Sequence, residues 1–157
     1  MDNNTSSLAI VQKQLSETSG TLIRLLNLLK PLDISTIDCL ENLDVELGTF
    51  ANALIMLAFH MNNTHPTALD EGEWESLQLH LLLANADRCI SRLETIVTNG
   101  LRRGGSLKKY VRDTTAEAEI RHLRIRLEIY NMALGAPVML FVVYGKPPLV
   151  FLEFSHH

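Results

Sequence analysis

Residues 40–61 read LENLDVELGTFANALIMLAFHM, and the spacing of their apolar side chains decides the fold. Leu40, Leu43, Leu47, Phe50, Leu54, Leu57 and Met61 recur alternately three and four residues apart. That alternation keeps them on one stripe of an α-helix, the pattern that left-handed helical packing buries. Working outward, the same rule holds upstream at Leu8, Val11, Leu15, Thr18, Leu22, Leu25 and Leu29. Downstream it holds at Leu79, Leu82, Ala86, Cys89, Leu93 and Ile96, and again at Ala116, Ile120, Leu123, Leu127, Tyr130 and Leu134. Four such segments with almost no strand alternation predict an all-α chain, an antiparallel four-helix bundle joined by short links.

Local signals divide the segments at 8–29, 34–61, 74–98 and 115–136. Lys30-Pro31 closes the first, since the residue before proline avoids helical geometry. Asp33 or Ser35 is the expected cap of the second, and Asn62 to Pro66 breaks it. The acids Asp70, Glu71, Glu73 and Glu75 suit the positive end of the third helix, with Trp74 as a staple at its entry. Asn99-Gly100 reads as its stop, and Thr114 with Glu117 as a capping box for the fourth. The loop 99–113 has room for a short helical turn around Leu107, Tyr110 and Val111. Gly20 marks either a close helix crossing or a kink. Pro137 is expected to kink the last helix. The uncharged run Val138–Tyr144 then either continues the bundle or forms a hairpin over it, with docking on a partner, a membrane or another copy as the alternative. These boundaries define a bundle domain over 1–143 and a short apolar C-terminal tail over 144–157.

Composition narrows the function classes. The 157 residues suffice for one domain; the net charge is −4 and 46% of residues are hydrophobic, a globular balance. Nucleic-acid binding is disfavoured, because neutralising phosphates takes concentrated positive charge. Charge is nonetheless uneven. Residues 1–100 carry five basic and thirteen acidic side chains, residues 101–157 nine and five. Two readings follow: oppositely charged faces that attract one another within the domain, or a basic patch for an acidic partner or anionic membrane. The patch would comprise Arg102, Arg103, Lys108, Lys109, Arg112, Arg121 and Arg124. Two cysteines and the polar start Met1–Thr5 suggest reduced thiols, no signal peptide and a cytoplasmic location, so the sequons at Asn3, Asn4 and Asn62 carry no weight.

No residue set supports catalysis. Gly100–Leu107 has the glycine spacing of a phosphate loop, but Ser106 stands where lysine is needed and Leu107 where a hydroxyl must meet magnesium. His60, His65, His80, His122 and the pair His156-His157 lack metal-ligand spacing, so neither metal nor cofactor is expected. Cys39 and Cys89 lie in or beside helix seams, where cysteine acts as a small hydrophobe.

Three stretches carry a family resemblance: Leu43–Leu54; Leu83–Leu93 with Cys89 in mid-helix; and Glu119–Tyr130 followed by Ala133-Leu134, after a basic loop. Together they resemble the HeLo-like N-terminal domain of fungal proteins, over roughly residues 8–143. The resemblance implies a helical module of fungal signalling that acts by self-association, partner binding or membrane disruption. Related domains are also named for a protein of an azaphilone pigment cluster, which implies a secondary-metabolism accessory role. The family opens on a small-residue, apolar helix; this chain opens on Asp2–Ser7, and it stops before any ATPase or repeat region, as a standalone or truncated member would. The leading expectation is a non-catalytic adaptor binding a protein partner or its own copies.

Overall fold

The computed structural model describes residues 7–63 and 78–144, and all regular structure among them is helical. Five α-helices follow in order: α1 (Ser7–Leu29), α2 (Leu43–Asn63), α3 (Leu79–Arg102), α4 (Leu107–Asp113) and α5 (Ala116–Tyr144). The expected side chains at 65–66, 70–75 and 145–157, among them His65, Trp74, His156 and His157, lie outside the described residues.

The seams form the core. Leu22, Leu25, Leu43, Leu47, Phe50, Leu57, Leu93, Ile120 and Leu134 are fully buried, with Thr18 beside them. On α3 the stripe turns slightly, so that Leu83 is buried and Leu82 only half-buried.

The second helix begins later than residue 34. Residues 34–42 form two 3-10 turns, Ile34–Thr36 and Asp38–Leu40, joined through an extended Ile37. Ile34, Ile37, Cys39 and Leu40 are all buried. On one helix those four would point in divergent directions, so a continuous helix would strand one of them in water. Asn42, at φ 65°, then turns the chain into α2 and accepts its first backbone bond, from Glu46 N. Asparagine tolerates that left-handed geometry better than most side chains.

Gly100 does not stop α3. A Cβ there would come within 2.5 Å of Leu107 Cδ1 and 2.8 Å of Tyr110 Cδ1, so its missing side chain admits α4. The left-handed glycine after the helix is Gly104, at φ 71°. The expected turn around Leu107, Tyr110 and Val111 is α4 itself, capped by the Ser106 hydroxyl accepting from Lys109 N at 3.3 Å. Thr114 caps through Ala116 N at 3.1 Å, while Glu117 reaches Arg121 instead of closing a capping box.

The last helix runs through Pro137 to Tyr144, the last of the described residues. Val138 is 8% exposed and continues the buried seam, which compensates the bond that proline cannot make. α1 likewise runs unbroken through Gly20, where an added Cβ would meet only Arg24 Nη1, at 3.8 Å.

Neighbouring helices do not all alternate in direction. Gln12 bonds Asn62, so α1 and α2 run oppositely, as do α3 and α5 through Cys89 to the Leu123 carbonyl and Arg92 to Glu119. Gln14, Thr21 and Arg24 of α1, however, meet His80, Asp87 and Glu94 of α3 in rising order, which makes that pair parallel. α2 and α5 are parallel too: residues 38–41 face 121–125, and 45–49 face 127–131. α2 and α3 follow one another in this order but do not lie side by side.

Candidate interaction surfaces

Five of the seven expected cations gather where α3 hands over to α4. Arg102, Arg103, Lys108, Lys109 and Arg112 lie close in sequence on either side of the left-handed Gly104, between the end of α3 and the body of α4. Arg103 lies over the Tyr110 ring, 5.6 Å from its centroid, and Arg112 pairs with Asp113 at 3.2 Å. Arg102, Lys108 and Lys109 are exposed. Arg121 stands apart on α5, 3.5 Å from Glu117.

Arg124 does not join that surface. Its side chain is only 17% exposed. Nε donates to Glu46 Oε1 at 3.0 Å, Nη2 to Glu46 Oε2, and Nη1 to the Cys39 carbonyl at 2.8 Å. A forked guanidinium thus ties the start of α2 and the preceding 3-10 turn to α5. Here the acidic and basic parts of the chain meet internally, as the self-attracting reading of the charge supposes.

Two shallow depressions flank this pair. One, of about 210 Å³, is bounded by Thr36, Ile37, Asp38, Lys108, Val111, Arg112 and Glu117. The other, of about 450 Å³, is bounded by Asp38, Cys39, Glu41, Glu46, Arg121, Arg124, Ile125 and Glu128. Both are open, and their guanidiniums already face carboxylates. Cys39 and Cys89 are buried free thiols. Burial pushes the Cys89 thiol up to about 11, and its Sγ donates to the Leu123 carbonyl at 3.1 Å. Burial raises Cys39 as well, with Glu117 adding to the shift. Thiols held protonated in this way are poor nucleophiles. No group of three or more metal-ligating side chains occurs among the described residues.

Two features were missed by pattern reading. The first is a polar seam between α1 and α3. The buried Thr21 hydroxyl lies 3.1 Å from Asp87 Oδ1 and from the Glu17 carbonyl, and accepts from Arg24 Nη2, which sits beside Glu94. The second is an apolar outer face on α2 and α5. Val45, Ile55, Met56 and Phe59 of α2 and Ile125, Ile129 and Met132 of α5 are exposed, Met132 by 73%. The outer half of α2 carries no Asp, Glu, Lys or Arg from Leu47 to Asn63, and α5 none from Ile129 to Tyr144. A signal was available: segment 38–62 is long and apolar enough to cross a bilayer, at mean hydropathy 1.2. A helix apolar all round has more greasy surface than one core contact uses.

Compared with known protein families, characterised proteins and solved structures, the chain has no significant match to any of them.

Proposed function

We propose that this chain is a non-catalytic helical interaction module whose binding surface is the outer face of α2 and α5. One observation carries the reading: of ten exposed large apolar side chains among the described residues, seven lie on those two helices. Exposed apolar side chains concentrated in this way mark binding sites. In this reading the helices form a bundle scaffold, bent at Pro137, and the cations around α4 steer partners by charge. The HeLo-like resemblance rests on leucine and charge patterns alone and suggests signalling, or a pigment-pathway accessory role, as the setting. Buried thiols suit a cytoplasmic one.

The membrane-active reading stands second, favoured by the charge-free stretch of α2 together with the α4 cations. It predicts vesicle binding that weakens with salt.

The test compares the wild type with the double variant Ile55→Glu/Met132→Glu by sedimentation over a range of concentrations, with and without anionic vesicles. Helicity by circular dichroism should be unchanged, since both sites are exposed. Association with itself or with vesicles should be lost. If the two proteins behave identically throughout, the α2/α5 face is not a binding surface.

A further inference from the structure

We infer that residues 33–41 form a strap that opens as a unit while the helices stay folded, with Arg124 as its latch. This inference goes beyond the interaction-module reading and does not depend on the α2/α5 face.

The strap bonds almost entirely to itself. Thr36 N donates to Asp33 O, Ile37 N to Ile34 O, Leu40 N to Ile37 O and Glu41 N to Asp38 O, all within the segment. The Ser35 and Thr36 hydroxyls also turn inward, both to Asp33. Among the described residues one hydrogen bond leaves the strap. Arg124 Nη1 donates to the Cys39 carbonyl at 2.8 Å.

Each end of the strap is a break in helical geometry. Pro31 stands just past α1, and Asn42, at φ 65°, stands just before α2. The segment therefore lifts without unwinding a turn of either helix. Open depressions lie on both sides of it and share Asp38.

Burial of Ile34, Ile37, Cys39 and Leu40 holds the strap down, and the latch adds to it. Glu46 grips Arg124 through Nε and Nη2, which leaves Nη1 aimed at the Cys39 carbonyl. A charged donor makes that bond stronger than a neutral one. Segments with few bonds to the rest of a protein are the ones that open below the global unfolding energy. Opening bares an apolar recess beside Val111 of α4 and against α5, with Lys108 and Arg112 on one rim and Arg121 on the other. The open state thus presents an apolar, cation-rimmed surface that the closed state hides.

The two thiols report the two kinds of opening. Cys39 belongs to the strap, while Cys89 lies within α3 and is released only when α3 parts from the Leu123 carbonyl of α5. Alkylation of the full chain by iodoacetamide in native buffer, located by mass spectrometry, gives both rates in one experiment. Cys39 should react at least about tenfold faster than Cys89. Arg124→Gln should raise the Cys39 rate about tenfold with little change at Cys89. Arg124→Lys, which keeps a charged donor for the carbonyl, should fall between. Amide exchange at Ile37, Leu40 and Glu41 should quicken together in Arg124→Gln. The ratio of the two thiol rates separates strap opening from a variant that is merely less stable, since global unfolding exposes both alike. Cys39 reacting no faster than Cys89 in the wild type, or Arg124→Gln raising both rates in proportion, overturns the inference.

Discussion

The α1/α3 and α2/α5 pairs are both parallel and both feed one core, but they treat water differently. Along α1 and α3 three cross-helix links follow one another, Gln14 to His80, Thr21 to Asp87 and Arg24 to Glu94. Ile10, Ile23 and Leu81 are their only exposed large apolar side chains among the described residues. Along α2 and α5 the ion pair Arg124–Glu46 sits toward one end, no Asp, Glu, Lys or Arg follows from Leu47 to Asn63 or from Ile129 to Tyr144, and seven large apolar side chains of the two helices are exposed. The first pair spends its hydrophobicity once, on the core. The second has a surplus, and a surplus exposed to water is what association removes.

The sharpest way to break that contrast lies within α2 itself. Phe50→Ala should cost about 3–5 kcal/mol in urea denaturation, because Phe50 is fully buried. Phe59→Ala, at a side chain 61% exposed, should change monomer stability by less than about 0.5 kcal/mol. A similar loss at both positions would mean that the outer face is no outer face.

Gly100→Ala forces a methyl into Leu107 and Tyr110 and should cost about 1–3 kcal/mol by overpacking, read as a lower denaturation midpoint. Hydrogen exchange in α4 should accelerate with it. Thr21→Val tests the polar seam of the first pair. It strips Asp87 and Arg24 of a buried partner at constant shape, for about 1–2 kcal/mol. An unchanged midpoint would show that the α1/α3 links are incidental.

Smaller effects sharpen the comparison. Gly20→Ala has room for its methyl beside Arg24 and should stabilise by about 0.5–1 kcal/mol, seen as a higher Tm. The Arg92 bond to Glu119 holds that carboxyl below its ordinary range. A lowered folded value stabilises above the unfolded value and is lost as pH falls through the folded one. Arg92→Ala should therefore cost about 0.5 kcal/mol at neutral pH, the pair being half-exposed, and nothing in strong acid. Chemical denaturation across pH 2–7 would show the two curves converging.

Much of the fold was legible because a three-four alternation has one physical solution. Seam positions such as Leu47, Phe50 and Leu93 are buried where the pattern puts them. The boundaries were less legible wherever a local signal competed with packing. Asn99-Gly100 looks like a stop until α4 needs the space above Gly100. Pro137 looks like an end until Val138 is seen to fill the core. The candidate surface was legible as charge but not as pairing. Arg124 and Arg121 are three residues apart on one helix, yet one is locked to Glu46 and the other faces solvent.

The sequence alone determined that this chain is helical and which stripe of each helix is dry, since both follow from periodicity within single segments. Only the tertiary structure decided which helices lie side by side and in what direction. Those choices depend on contacts between residues far apart in the chain, such as Thr21 with Asp87 and Glu46 with Arg124, which no local pattern encodes. They also decided which apolar side chains were left facing water.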